Sequence, residues 1–152
     1  YEQIVDVGRD QKLTKQALES FDEVIKRFPT SKFARDARLK IDLTRNHLAG
    51  KEMAIGRWYL ERGQHLAAIN RFQKVVEQFD TTDQVPEALL RLTEAYTALG
   101  LTGEAKRTAS VLGYNYPGTE WYEDAYALAT NGKPRSEAES DNGWLGWGIG
   151  PF

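Results

Sequence analysis

The stretch that decides the fold is residues 48–72, LAGKEMAIGRWYLERGQHLAAINRF. Small and apolar residues recur at helical spacing on both sides of Gly63, and this glycine can take the left-handed conformation that ends a helix. The pattern therefore predicts two helices joined by a tight turn. The predicted packing positions are Ile55, Gly56 and Tyr59 in the first helix, and Ala68 and Phe72 in the second.

The same pattern returns 37 residues further along the chain. The matched pairs are Tyr59 with Tyr96, Ala68 with Ala105, Phe72 with Ala109, Val75 with Leu112, and Asp80 with Pro117 in the turn. Tetratricopeptide repeats have a period of about 34 residues, and the turn can hold three more. The alternative, a helical bundle without repeats, would need all of these matches to arise by chance.

Residue size predicts how each repeat packs. Gly56 and Ala68 are small, so we expect the two helix backbones to approach closely at these positions. Tyr59 and Phe72 are expected to fill the space on either side. We also expect Ala68 and Ala105 to be buried at the crossings of their helices.

Helical periodicity extends over most of the chain, and no segment alternates with the period of a strand. Ser31 can cap a single long helix over residues 32–62, and Thr102 and Thr119 can cap later ones. We predict an all-α, tetratricopeptide-type helical-hairpin solenoid over residues 1–132. Residues 133–152 are predicted to be a polar linker followed by a Gly/Trp-rich apolar tail. We expect the tail to dock on a repeat surface of the same or a neighbouring chain, and the alternative is a tail without a binding surface.

Composition excludes several classes of function. The net charge of −2 lacks the basic excess typical of nucleic-acid binding. The absence of cysteine excludes disulfides and thiolate chemistry. The sequence starts at Tyr1 rather than Met, so we expect a processed chain or a fragment that exposes an apolar edge at its start.

Catalytic and metal-binding constellations are missing from the sequence. The two histidines, His47 and His65, have no second ligand at a convincing spacing. The glycine-rich tail has neither the preceding strand nor the following helix of a phosphate-binding loop. We therefore predict no catalytic residues, no cofactor and no metal, and a protein that binds other proteins.

The stretch from Leu48 to Phe72 closely resembles the BamD family of outer-membrane assembly lipoproteins, also called ComL. Residues 7–10 and the turn at residues 28–37, FPTSKFARDA, are also similar to this family. The resemblance covers roughly residues 1–130. The residues that carry it in the decisive stretch are Leu48, Ala49, Glu52, Trp58, Tyr59, Arg62, Gly63, Ala68, Asn70 and Arg71.

The resemblance implies a scaffold at the periplasmic face of the outer membrane, within the machinery that assembles β-barrels. This chain would be the C-terminal half, which docks to the POTRA region of BamA and contacts other assembly lipoproteins. Its membrane link would be a lipid anchor upstream of the sequence. The alternative is another periplasmic tetratricopeptide adaptor, serving cell-wall synthesis or division.

Four residues are predicted to bind the partner: Trp58, Arg62, Asn70 and Arg71. The flanking Ile69 and Phe72 face the core in this prediction, so Arg71 should project outward and pair with a POTRA carboxylate. The alternative for Arg71 is an ion pair inside its own repeat, with Glu77 or Asp80.

Overall fold

The computed structural model describes residues 12–131, which form six α-helices. Each helix packs against the next one in sequence, and α4 also contacts α2 and α6. The even-numbered helices therefore form one row, and α3 and α5 lie against it. The helices are α1 (Lys12–Arg27), α2 (Lys32–Glu61), α3 (His65–Gln78), α4 (Val85–Ala98), α5 (Thr102–Asn115) and α6 (Glu120–Asn131).

The long helix predicted from the sequence is present. Helix α2 runs unbroken for 30 residues, and Gly50 does not interrupt it. The Ser31 hydroxyl accepts a hydrogen bond from the backbone N–H of Ala34 at 3.1 Å, as expected of an N-cap. The first half of α2 packs on α1 and the second half packs on α3, so this helix belongs to two hairpins.

The 37-residue repeat is visible in the backbone. Gly63 and Gly100 have φ angles of 68° and 72°, and both end their helices in the left-handed region. After each glycine the next N–H bonds back to a tyrosine carbonyl, from Gln64 to Tyr59 at 3.0 Å and from Leu101 to Tyr96 at 2.9 Å.

The turns before α4 and α6 also match. The hydroxyls of Thr82 and Thr119 donate to the carbonyls three residues earlier, those of Phe79 and Tyr116, at 2.7 and 2.9 Å. Asp80 and Pro117 both lie in these turns, as predicted. The Thr119 hydroxyl also accepts from the N–H of Tyr122 at 3.3 Å, which confirms the predicted cap of α6. An aspartate at position 80 therefore supports the same turn as a proline.

The small residues lie at the helix crossings, with one difference from the prediction. Ala68 and Ala105 are buried, as expected. Gly56 is buried too, but a Cβ atom there would clash with the ring of Phe72. Glycine at position 56 thus makes room for an aromatic ring seated on α2. The ring therefore lies on Gly56 itself, and not to one side of it as predicted.

Two apolar clusters form the core. One joins α2, α3 and α4 and is centred on Met53, Phe72 and Val75. The other joins α4, α5 and α6 and is centred on Leu90, Leu112 and Ala125. Helix α4 contributes to both clusters, so the two hairpins on either side of it are packed into one continuous body.

The predicted cap of α5 is absent. Thr102 does not cap α5, because it is already inside the helix, and the N-cap residue Leu101 has no side-chain cap. Leu13 and Phe28 of α1 are exposed, as are the large apolar residues Phe33, Leu39 and Leu43 of α2. An apolar surface therefore lies along α1 and the first half of α2, whereas the start of the chain, where an apolar edge is predicted, lies outside the described residues.

The linker and tail predicted for residues 133–152 lie outside the described residues. No helix within residues 12–131 combines the length and the hydropathy needed to cross a membrane.

Candidate partner-binding surface

A buried carboxylate lies at the centre of the α2–α3 hairpin. Glu52 stands on the packing stripe of α2, between the buried residues Ala49 and Met53, and its side chain is only 8% exposed. Two cations from α3 reach it: Arg71 Nη1 lies 3.1 Å from Oε2, and Lys74 Nζ lies 2.5 Å from Oε1. We call these three residues the Glu52 cluster.

The cluster keeps Glu52 ionised. Burial by itself would raise the pKa of this carboxyl group, since a charge is costly away from water. The hydrogen bonds from Lys74 and Arg71 and their positive charges outweigh burial, and the pKa is lowered below its ordinary value. One carboxylate facing two cations leaves the cluster with a net positive charge at the surface of the hairpin.

Trp58 and Arg62 form a second group on α2. The Arg62 guanidinium carbon lies 3.9 Å from the centroid of the Trp58 ring, in the geometry of a cation–π contact. Arg62 Nη1 also donates to the Trp58 carbonyl at 3.2 Å. The Trp58 ring meets Tyr59 edge-on, with 5.1 Å between the centroids. These contacts hold a half-exposed indole in a fixed position.

The structure thus brings the four predicted binding residues together in part. Trp58 and Arg62 contact each other, and Asn70 is exposed beside Arg71. Within residues 12–131, no hydrogen bond or ion pair joins these two groups to each other. Arg71 keeps 38% of its side chain exposed while it donates to α2, so it projects outward only in part.

The partner of Arg71 is a residue that the sequence analysis did not connect to it. Neither Glu77 nor Asp80 takes the guanidinium; Glu52 of the preceding helix does. The signal was present in the sequence, because Glu52 is a lone carboxylate on an otherwise apolar stripe. Such a group needs a cation from the helix that packs over it.

A second ionic network connects α2 to α4. Arg57 Nη1 lies 2.8 Å from Glu87 Oε1, and Arg91 Nη1 lies 2.6 Å from Glu94 Oε1. Arg91 Nε also lies 3.5 Å from Glu87. Burial would lower the pKa of Arg91, but the two carboxylates outweigh it and raise this pKa. These side chains neutralise each other, which distinguishes the network from the positively charged Glu52 cluster.

Nothing in the described part of the chain is arranged for catalysis. Residues 12–131 hold no group of three or more His, Asp or Glu side chains that could bind a metal ion. The two groups with shifted pKa values in this part of the chain, Glu52 and Arg91, form the ion pairs described above. The arrangement can hold charges and an aromatic ring in fixed positions on a surface.

The fold and the surface define an all-helical protein of sequentially packed, repeating hairpins. Comparison with known proteins identifies the family. Residues 1–112 match the YfiO family, described as outer membrane lipoproteins. The chain is 57% identical over 139 residues to the outer membrane protein assembly factor BamD of Caulobacter vibrioides, covering 91% of this chain and 46% of that protein. It is 53% identical over 131 residues to BamD of Rickettsia prowazekii, covering 86% and 52%.

The chain therefore belongs to the YfiO, or BamD, family of outer membrane lipoproteins. It spans about half the length of the curated relatives that it matches. Membership confirms the family resemblance and the outer-membrane assignment. It also confirms that the chain is not an enzyme, because these relatives are named as assembly factors.

Proposed function

We propose that this chain is a non-enzymatic scaffold of the outer-membrane β-barrel assembly machinery and that its α2–α3 hairpin docks to the POTRA region of BamA. Its relatives are named outer membrane protein assembly factors, and these names support a role in outer-membrane assembly. They favour it over the alternative, an adaptor in cell-wall synthesis or division. The scaffold would act at the periplasmic face of the membrane, held by a lipid anchor upstream of this sequence and in contact with further assembly lipoproteins.

The architecture that we propose is a tetratricopeptide-type solenoid. The 37-residue repeat of turns, caps and buried alanines supports it, as does the contact of α4 with both α2 and α6. A solenoid presents side chains of successive hairpins on a continuous surface, which suits a scaffold.

The position of Arg71 is the main observation that supports the proposed docking site. Its bond to Glu52 uses one of the five N–H donors of a guanidinium, and 38% of the side chain remains exposed. A partner carboxylate can therefore meet a guanidinium that Glu52 has already oriented. Because the cluster carries a net positive charge, it attracts such a carboxylate. Trp58 and Arg62 supply residue types that dominate binding energy at interfaces.

The test compares two cations that hold the same carboxylate. Arg71→Ala and Lys74→Ala each remove one partner of Glu52, and the two side chains are equally exposed, at 38%. The two variants should therefore lose similar stability. If Arg71 contacts the partner, Arg71→Ala should lose much more affinity for purified POTRA domains than Lys74→Ala, which removes the same charge without removing the contact. The expected loss is about 2–5 kcal/mol, as for truncation of a desolvated interface charge.

Charge reversal makes the test specific. Arg71→Glu should bind POTRA domains more weakly than Arg71→Ala, and an acidic-to-basic change on BamA should restore its binding. Calorimetric titration of each variant, with folding checked by circular dichroism, measures these effects. Equal affinity for parent, Arg71→Ala and Arg71→Glu would remove Arg71 from the binding site.

A further inference from the structure

The last helix of the described stack leaves aromatic side chains uncovered. Within residues 12–131, helix α6 packs on α4 and α5 only. Its Trp121 and Tyr126 are 38% and 57% exposed, and Tyr114 at the end of α5 is 87% exposed. Terminal repeats of helical stacks usually present a polar outer face, because no neighbour buries them. The α5–α6 hairpin lacks such a face at these positions.

A cavity of about 260 Å³ lies between α5 and α6. Tyr122 forms one wall, and it is fixed because its ring packs against Gly113, where any Cβ atom would clash. Tyr126 lies beside it, with 6.0 Å between the ring centroids. For comparison, an engineered apolar cavity of about 150 Å³ binds benzene. The space is therefore sufficient for one indole ring. The other lining residues are Lys106, Ala109, Ser110, Ala129 and Thr130.

The chain that follows α6 has the composition and length to cover this surface. Residues 143–152, GWLGWGIGPF, contain no charge and carry five large apolar side chains: Trp144, Leu145, Trp147, Ile149 and Phe152. Residues 132–142 separate them from α6 and can span roughly 35 Å when extended. Helix α6 has 12 residues and is about 18 Å long, so any point on it is within reach.

We propose that residues 143–152 fold back within the same chain and cap the aromatic face of the α5–α6 hairpin, with the indole of Trp144 or Trp147 in the cavity between the helices. A short tether gives the tail an effective concentration in the millimolar range. Weak contacts to Tyr122 and Tyr126 are then enough to keep it bound. The tail would serve as the terminal cap that α6 itself does not provide.

The test measures the fluorescence of the two tail tryptophans without a contribution from the other two. In the full chain, Trp58→Phe and Trp121→Phe leave Trp144 and Trp147 as the only indoles. Their fluorescence should be blue-shifted and severalfold less quenched by acrylamide than that of the free peptide of residues 143–152. In this background, Ser110→Phe places a ring in the cavity and should return the tail to the behaviour of the free peptide. Tyr126→Lys removes one wall and should act in the same direction.

A matched control is present on α1. Ser20 and Ser110 are both exposed, and each hydroxyl donates to the carbonyl four residues earlier at 2.8 Å. Ser20→Phe therefore makes the same chemical change far from the cavity, and the tail should stay protected. Circular dichroism of Ser110→Phe and Ser20→Phe checks that both keep the helical fold.

Three results would overturn the proposal. The tail tryptophans of the parent could already be as accessible as those of the free peptide. Protection could depend on protein concentration, which means that a second copy is capped. Protection could also arise only after addition of phospholipid vesicles, which assigns the tail to a membrane surface.

Discussion

The α2–α3 and α4–α5 hairpins share their backbone geometry but differ in the side chains at matching positions. Each ends its first helix at a left-handed glycine, Gly63 or Gly100, and each buries an alanine one turn into its second helix, Ala68 or Ala105. The hydrogen bonds after the two glycines differ in length by only 0.1 Å. The turn and the small residue are therefore sufficient to define the hairpin.

The Glu52 cluster and the stacked indole occur in one hairpin and have no counterparts at the matching positions of the other. At the positions 37 residues after Glu52, Arg71 and Lys74, the α4–α5 hairpin has Leu89, Thr108 and Val111. The positions that match Trp58 and Arg62 hold Ala95 and Leu99. The second hairpin forms without equivalents of the Glu52 cluster and of the stacked indole, although α4 carries the separate Glu87–Arg91–Glu94 network. The fold therefore does not require these groups, and they remain available for the docking site that we propose.

The core exchange between the hairpins gives the largest expected effect. Gly56 and Phe72 of the first hairpin correspond to Thr93 and Ala109 of the second hairpin. The larger side chain of each pair therefore lies on the second helix in one hairpin and on the first helix in the other. Phe72→Ala should cost about 3–5 kcal/mol of unfolding free energy. Adding Gly56→Thr, which copies the second hairpin, should recover part of this loss, as measured by chemical denaturation.

The single change Gly56→Thr completes the cycle. It should cost about 1–3 kcal/mol by itself, because the new side chain meets the Phe72 ring. The double variant should therefore be more stable than the sum of the two single losses predicts, because each substitution reduces the cost of the other. A double variant that is no more stable than Phe72→Ala would show that a threonine at position 56 does not fill the space that the Phe72 ring leaves.

Removal of both cations from the Glu52 cluster should have the next largest effect. Arg71→Ala with Lys74→Ala leaves a buried carboxylate unpaired, for which the usual cost is about 3–5 kcal/mol. We expect about 2–3 kcal/mol, because both cations are part-exposed and their loss admits water. The triple change Glu52→Leu, Arg71→Thr and Lys74→Val copies the second hairpin and should restore stability, since an apolar replacement of such a group is often neutral.

The cluster also predicts a difference in acid stability. The pKa of Glu52 is lower in the folded chain than its ordinary value of about 4.5. Its contribution to stability is therefore complete above that value and is lost as the pH falls through the folded pKa. The parent should lose stability below about pH 5 more steeply than the triple variant, in which position 52 cannot titrate. Denaturation curves over a pH series measure the two slopes, and parallel slopes would contradict a paired Glu52.

The two turn glycines should respond equally. Gly63→Ala and Gly100→Ala place a Cβ atom in the left-handed region and should each cost about 1–2 kcal/mol. No atom lies close enough to add a clash at either position. Gly103→Ala is the control, because Gly103 lies in α5 without a positive φ and should gain about 0.5–1 kcal/mol. Clearly unequal losses at the two turns would show that they are not equivalent.

The sequence predicted the framework because the framework depends on local signals. Gly63 and Gly100 end helices through their own conformational freedom, and Ser31 caps α2 through a bond within one turn. Matched spacing then set the register of Ala68 and Ala105. The family stretch identified the protein class, since it combines several specific residues in one hairpin.

The contact partners of individual side chains could not be predicted from the sequence in the same way. Arg71 has carboxylates nearby in sequence, but its partner depends on which face of α2 crosses α3, and that face carries Glu52. The role of Gly56 was misjudged for the same reason, because a ring from the facing helix occupies the space. Thr102 failed as a cap because Leu101 takes the N-cap position, one residue earlier. Tertiary contacts decided the first two cases, and the position of the helix start decided the third.

The smallest expected change in stability concerns the stacked arginine. Arg62→Leu copies Leu99 of the second hairpin and removes a cation–π contact to Trp58 at an exposed site, which is worth about 0.5–1 kcal/mol. Binding to POTRA domains should fall further than stability, because the guanidinium both contributes charge and fixes the indole. The comparison is made with Arg107→Leu, which removes an exposed arginine of α5 that pairs with Glu104. This control should change neither property. If Arg62→Leu and Arg107→Leu bind alike, Arg62 belongs to the solvated surface, and the binding site contracts to the Glu52 cluster.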